Sequence, residues 1–351
     1  MNKTLVIYHR EDNDGACSAG IADAFLRRFS EDVSVYFEGV NYADLSRYWN
    51  EVNQALSDPS EVAKKPKIQK WCDKFSCVIM VDISFNEPDA MEYMYEKFGD
   101  RFIWCDHHKP IIEASASYGF GSAPGIRRTD QSALMNTWDF MCDRFSVRDA
   151  KPSNEMVTLS DYDSWAWTKK EVYKDKAAQE NMFNLNVGMT HKSNLDPTWF
   201  SFWVENWIVS GFNYEGVGGS KHFDTAWDAQ VFGKQVRELD KKRTDRAVRS
   251  NADCTWRLRN GESVAVIFTT ERMNSMSFSA VTDKSVKHGS VIKYDAKNDN
   301  WTLSLYNFSD EDKFDCGEYL KQWYNGGGHP GAAGCTLTAA NVSGMIMSKQ
   351  V

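Results

Sequence analysis

The sequence predicts an α/β protein with an N-terminal open, mainly parallel sheet and a smaller C-terminal α/β domain, joined by a helical connector. Three observations carry this prediction. Short apolar runs alternate with helix-spaced segments over the first half, the strand signal fades across a long charged stretch, and strand-like runs return beyond it.

Residues 5–8, 33–37, 77–81 and 102–105 are apolar and rich in β-branched and aromatic side chains. Their polar alternation is weak, as in strands buried on both faces of a parallel sheet. Between them, residues 16–29 and 89–98 carry Ala, Ile, Phe and Met at helical spacing. From about residue 170 to 251, Phe223, Trp227, Val231 and Val236 recur at helical intervals ahead of a run containing Lys234, Arg237, Lys241, Lys242, Arg243, Arg246 and Arg249. That basic run reads as a solvated helix face in preference to a stripe that tracks phosphates. Residues 264–269, 290–294 and 301–306 read as strands of the second lobe, and residues 326–334 as a glycine-rich loop.

Composition agrees with this outline. At about 150 residues per domain, 351 residues correspond to roughly two domains. Apolar residues at 42% and charged residues at 26% match globular averages and exclude wholesale disorder. No apolar run approaches the ~18 residues of a membrane span, and the first strand leads into an acidic segment, so a soluble, cytoplasmic protein is expected. With 41 Lys+Arg against 49 Asp+Glu, the net charge of -8 disfavours binding to long duplex nucleic acid, so any nucleic-acid substrate should be short. The eight cysteines contain no C-x-x-C pair and read as reduced thiols.

The chemistry concentrates at strand ends. His9, Asp12, Asp14 and Gly15 follow the first strand, at the carboxyl edge where open α/β sheets place their sites. Asp12 and Asp14, with Gly15 permitting a sharp turn, can reach adjacent metals; the competing reading is a loop that caps the helix from Ala16. A second strand ends in Asp82 and a third in Asp106, His107 and His108. Capping explains one such acid well and three poorly, because carboxylates packed together repel and need a cation. A fourth acidic group, Asp161 and Asp163 within Ser160-Asp-Tyr-Asp-Ser-Trp165, is either a polar turn or a further ligand source.

This ordered set of motifs resembles the DHH phosphoesterase superfamily, and Gly326-Gly327-Gly328-His329-Pro-Gly-Ala-Ala-Gly334 is similar to the signature loop of its associated substrate-binding domain. The match spans residues 3–165 and 255–340. The resemblance implies a catalytic domain at 1–190, a connector at 191–253 and a substrate-binding domain at 254–351. It also implies two divalent cations, Mn²⁺ foremost with Mg²⁺ or Co²⁺ as substitutes. One would be held by His9, Asp12 and Asp82, the second by Asp14, Asp82, His107 and Asp161. Asp161 is preferred to Asp163 because the family's late ligand is typically followed four residues on by an aromatic, the place of Trp165. Asp106 would orient His107 through its ring N–H. His108 would contact the phosphoryl group, and Gly326, Gly327, Gly328 and His329 would bind substrate.

The implied activity is hydrolysis of short oligonucleotides to nucleoside monophosphates, in the manner of the family's small oligoribonucleases, with attack on phosphorus by a water that the two metals acidify. The alternatives are a cyclic mono- or dinucleotide phosphodiesterase, a 3′-phosphoadenosine phosphate phosphatase or a non-catalytic nucleotide-binding protein. RNA versus DNA, base preference, strand polarity and a homodimeric state are not legible. The family's fourth loop glycine is missing, and Tyr306-Asn307 stand where an Arg-Ser pair is common. Tyr306 reads as a core aromatic in preference to a base-stacking residue. His191, His222 and His288 read as surface residues, and Arg127 and Arg128 either guide phosphates or are exposed charges.

Overall fold

The structure, a computed structural model, describes residues 2–57, 65–147, 149–209, 221–250, 255–269, 278, 286–296, 300–308 and 314–348. Four strands, β1 (Asn2–His9), β2 (Val33–Val40), β3 (Cys77–Val81) and β4 (Phe102–Cys105), form an all-parallel sheet in the order β2-β1-β3-β4. Successive side chains leave a strand on opposite faces. Leu5, Ile7, Val78, Met80, Phe102 and Trp104 enter one core, while Val6, Tyr8, Ile79, Val81, Ile103 and Cys105 enter the other. Burial on both faces removes any need for polar residues between the apolar ones, which is why the sequence shows no alternation.

Helices α1 (Asn13–Phe29), α2 (Tyr42–Ser57), α3 (Lys67–Lys74), α4 (Pro88–Phe98) and α5 (Lys109–Ala114) follow or connect the strands. α2, α3 and α4 cover one face; α1 covers the other with α6 (Ala133–Arg144), α7 (Asn154–Asp163), α8 (Lys176–Ser193) and α9 (Pro197–Val209). The open edge of β4 is closed by the chain that follows α5, since Trp104 N donates to Pro124 O (2.8 Å) and Asp106 N to Ile126 O (3.2 Å). Arg127 is committed to this closure. Its guanidinium donates to the carbonyls of Ala123 (2.9 Å), Trp104 (3.2 Å) and Gly121 (3.2 Å) and lies 5.1 Å from the centre of the Trp104 ring. The phosphate-guiding reading of Arg127 is thereby replaced by a structural one.

The chain divides into two units, Met1–Gln235 and Val236–Val351, and the boundary falls inside the 30-residue helix α10 (Lys221–Ser250). In the second unit, β5 (Thr255–Arg257), β6 (Ser263–Thr269), β7 (His288–Asp295), β8 (Asn300–Asn307), β9 (Gly327–His329) and β10 (Ala332–Leu337) form a sheet in the order β5-β6-β7-β8-β10-β9. The β6–β7 pair is parallel and the other pairs are antiparallel. Helices α11 (Cys316–Tyr324) and α12 (Ala339–Ser348) add Tyr319, Leu320, Val342 and Met345 to a core with Trp256, Val264, Ile292 and Leu303.

Two expectations change here. The glycine-rich segment is a β-hairpin: His329 pairs with Ala332, Gly328 with Ala333 and Gly327 with Gly334. Gly328 has φ +145°, and a Cβ there would lie 2.6 Å from Ala333 Cα, so the hairpin requires glycine at that position. His288 is fully buried, its Nε2 2.7 Å from Glu262 Oε2 and its ring 4.4 Å from that of Phe314, where a surface residue was expected. Tyr306 packs its ring 6.1 Å from Phe278, as a core aromatic would. The His222 side chain and residue 254 lie outside the described residues. Among the described residues, no helix is long and apolar enough to cross a membrane.

Candidate metal centre

Strand register sets the centre's frame. Tyr8 and Cys105 both pair with Val81, so the next residues along β1, β3 and β4 (His9, Asp82 and Asp106) leave the sheet at one level of its carboxyl edge. Asp12 then serves twice. As N-cap of α1 its Oδ1 accepts from Gly15 N (3.0 Å), and its Oδ2 lies 2.9 Å from His9 Nδ1. The capping and site readings of this residue are both true. Gly15 acts by close approach, since an added Cβ would lie 2.1 Å from His9 O.

Asp82 adopts a left-handed backbone at φ 56°, a conformation that costs a non-glycine residue about 1–3 kcal/mol and persists only where surroundings impose it. Its two oxygens face different neighbours. Oδ2 lies 3.7 Å from His9 Nδ1, and Oδ1 lies 3.3 Å from His107 Nε2. Around that same His107 nitrogen stand Asp163 Oδ2 at 3.4 Å and Asp14 Oδ2 at 3.8 Å. His9, Asp12 and Asp82 thus form one group able to hold a cation, and Asp14, His107 and Asp163 a second, with all candidate ligand atoms in a group within 4.8 Å of one another. A third grouping joins Asp82, His107 and His108.

Asp161, expected among the ligands, does not join them. Its carboxylate is taken by Lys170 Nζ (2.6 Å) and the Tyr173 hydroxyl (3.0 Å), and Asp163 occupies the expected place. On a helix, residues two apart point in nearly opposite directions, so only one of the pair can face the centre. Asp106 also differs from expectation. It accepts from His108 Nδ1 (2.6 Å), from the backbone N–H of His107 (2.7 Å) and His108 (3.2 Å), and from Trp104 Nε1 (3.1 Å). It therefore orients the ring of His108, and touches His107 only through the backbone.

Two contributors escaped the sequence reading. The first turn of α6 grips Asp14, with Ala133 N donating to Oδ2 (2.9 Å) and Leu134 N to Oδ1 (2.8 Å). Tyr42, at the start of α2, sets its ring 5.9 Å from those of both His9 and His108. No local motif signals either one; each is a contact between distant segments.

The electrostatics show a site short of positive charge. Burial works against the charged form of His9, but Asp12 and Asp82 outweigh it and push its pKa up to about 11. His107 reaches about 11 in the same way through Asp82, Asp163 and Asp14. Burial with the Asp82 charge raises Asp163 to about 7, and burial with Asp82 and Asp163 raises Asp14 well above the carboxylate range. Asp82 goes the other way, because the neighbouring His107 and His9 imidazoles, whose charged forms attract its carboxylate, outweigh its burial. Asp82 Oδ2 and Asp163 Oδ2 are buried without a hydrogen-bond partner. Orphaned acceptors among four gathered carboxylates fit a pair of divalent cations, whose charge would match theirs.

No protein-family model and no curated protein matches the chain. Solved structures do. The chain is similar to the pGpG-specific phosphodiesterase PggH from Vibrio cholerae (12% identity, 99% of this chain and 97% of that one, TM-score 0.44). It is similar to the exonuclease RecJ bound to manganese (13% identity, 99% and 89% covered, TM-score 0.45). A third is an exopolyphosphatase-related protein from Bacteroides fragilis (13% identity, 99% and 91% covered, TM-score 0.42).

Proposed function

We propose that this chain is a metal-dependent phosphodiesterase of the DHH type that cleaves short oligonucleotides to nucleoside monophosphates. The observation that carries this reading is Asp82, a buried carboxylate whose two oxygens address two separate His/Asp groups, as a bridging ligand must. In this reading His9, Asp12 and Asp82 hold one divalent cation, and Asp14, Asp82, His107 and Asp163 hold the other. Mixed imidazole and carboxylate donors favour Mn²⁺, with Mg²⁺ or Co²⁺ as substitutes.

When bound, the cations supply acidity to an attacking water and positive charge opposite the phosphoryl oxygens. The chain's own residues set the geometry. The amides of Ala133 and Leu134 fix Asp14 against rotation. Asp106 accepts from His108 Nδ1 and, against the burial of the ring, favours its protonated form, whose Nε2–H can then donate to a phosphoryl oxygen, which makes Asp106 a positioning residue. In the second unit, Gly326, Gly327, Gly328 and His329 supply substrate contacts in this reading. Gly327 is exposed and a Cβ there would meet nothing within 4 Å, so a ligand can approach its backbone.

The test is incubation of the protein with Mn²⁺ and di- to pentanucleotides of RNA and DNA, followed by chromatography. Cyclic mono- and dinucleotides, 3′-phosphoadenosine phosphate and pyrophosphate belong in the same series, ranked by kcat/KM. Release of nucleoside monophosphates from the linear series at the highest kcat/KM is the expected result. Nucleotides recovered unchanged with any divalent metal would overturn the enzyme reading and leave a nucleotide-binding protein.

A further inference from the structure

Asp163 is followed at once by a turn held as firmly as the acids themselves. Trp165 has φ 56°, a left-handed conformation that a bulky L residue adopts only where its surroundings impose it. Thr168 closes the turn, its hydroxyl donating to Trp165 O (2.8 Å) and its N–H to the same oxygen (3.2 Å). Lys170 and Tyr173 fasten the following segment to α7 through Asp161. Within this frame the indoles of Trp165 and Trp167 lie nearly parallel, 5.9 Å apart at 29°. Trp167 is seated edge-on against Phe183 of α8 (5.4 Å, 75°), and Tyr162 meets the same ring (5.9 Å, 89°). Trp165 has Trp167 as its one ring partner among the described residues and is half-buried, outside the main cores.

A supported indole with an accessible side is a stacking platform, and its place is informative. Two residues of chain span at most about 7 Å, so Trp165 cannot lie far from Asp163, whose Oδ2 is 3.4 Å from His107 Nε2. Every nucleobase offers a π-face, whereas pyrophosphate and polyphosphate offer none. We propose that Trp165, backed by Trp167, is the platform on which a nucleobase flanking the scissile phosphate stacks. The proposal rests on the phosphodiesterase reading and narrows it to nucleotide substrates. Stacking reads no base edge, so the subsite accepts all bases and holds purines better than pyrimidines.

The test uses dinucleotides carrying 2-aminopurine at either position, with Ca²⁺ as the metal, so that binding is followed by the probe's own fluorescence apart from the chain's 13 tryptophans. Wild type should quench one of the two isomers. Trp165→Ala should lose that quenching and bind about tenfold more weakly, as loss of one base–aromatic stack predicts. Trp165→Phe keeps an aromatic face and should retain both, which separates stacking from a folding defect. An abasic dinucleotide should bind wild type and Trp165→Ala alike. Unchanged quenching and affinity in Trp165→Ala would overturn the platform. Hydrolysis with KM for normal dinucleotides unaffected by Trp165→Ala would do the same and leave the phosphodiesterase reading standing. Quenched binding in wild type with no cleavage in Mn²⁺ would support the platform and overturn the phosphodiesterase. Neither binding nor cleavage would overturn both.

Discussion

Lys170 Nζ lies 2.6 Å from Asp161 Oδ1, an ion pair that removes one of two neighbouring acids from the metal centre. The pair is one-sided in burial, with Asp161 7% and Lys170 47% exposed, so it fastens a surface lysine onto a buried carboxylate. Asp163, two residues on, keeps a buried Oδ2 without a hydrogen-bond partner, 3.4 Å from His107 Nε2. The two acids should therefore fail differently. Asp163→Asn should lower metal stoichiometry at one site and abolish turnover. Asp161→Asn should keep both metals and lose about 1–3 kcal/mol of stability, the cost of breaking a buried hydrogen-bonded contact. Metal analysis together with thermal denaturation separates the cases, and a metal-deficient Asp161→Asn would restore that acid as the ligand.

Asp82 is the side chain on which both groups depend. Asp82→Asn keeps the shape and removes the charge between two cation positions, so occupancy should fall at both and turnover by at least ~10³-fold, equivalent to about 4 kcal/mol. An Asp82→Asn protein that binds two metals tightly and turns over near-normally would show that Asp82 does not bridge.

The sheet was legible in the sequence because burial on both faces left short apolar runs with little polar alternation, and a parallel sheet brings its carboxyl ends to one edge. That rule brings His9, Asp12, Asp14, Asp82, Asp106, His107 and His108 to the edge together, and the choice of ligands among them came only from the family resemblance. Asp161 and Asp163 did not separate, because the choice depends on which face of α7 turns inward, and Lys170 and Tyr173 fix that face from 9 and 12 residues away. The partner of Asp106 was misassigned for a related reason. A carboxylate beside two histidines can reach either ring, and here the backbone directs it to the second. The grip of α6 on Asp14 joins residues about 120 apart in sequence, and no local spacing encodes it.

Cation binding should release protons. Without metal, His9 and His107 titrate near 11 and are protonated across the neutral range, whereas a ligating imidazole must be neutral. Binding of both cations at pH 8 should therefore release at least two protons, and metal affinity should rise with pH. At pH 6 Asp163, raised to about 7, adds a further proton. Titration calorimetry of Mn²⁺ in buffers of different ionisation enthalpy counts these protons, and a heat independent of buffer would contradict the picture. The metal-free protein carries the linked stability effect. The raised histidine values contribute stability that is complete below the ordinary histidine value of 6.5 and is lost as pH rises through about 11.

Tyr42 sets its ring against two imidazoles of the centre, and ring and hydroxyl are separable by substitution. Its ring stands 5.9 Å from His9, tilted at 53°, and 5.9 Å from His108, edge-on at 82°, so one side chain from α2 braces an imidazole of β1 and another of the β4 end. A residue that braces ligands without coordinating typically changes metal affinity by about 10–100-fold when removed. Tyr42→Phe preserves both ring contacts and should keep metal affinity and thermal stability. Tyr42→Ala opens space beside both histidines and should weaken metal binding at the His9 group by at least about tenfold, at the low end of that range. Among the described residues His107 shows no ring contact with Tyr42, so the second group, built on His107, Asp14 and Asp163, should lose less. Site-resolved Mn²⁺ titration of the two variants is the check. Equal affinities in wild type and Tyr42→Ala would reduce Tyr42 to a packing residue, and a Tyr42→Phe defect as large as that of Tyr42→Ala would move the role from the ring to the hydroxyl.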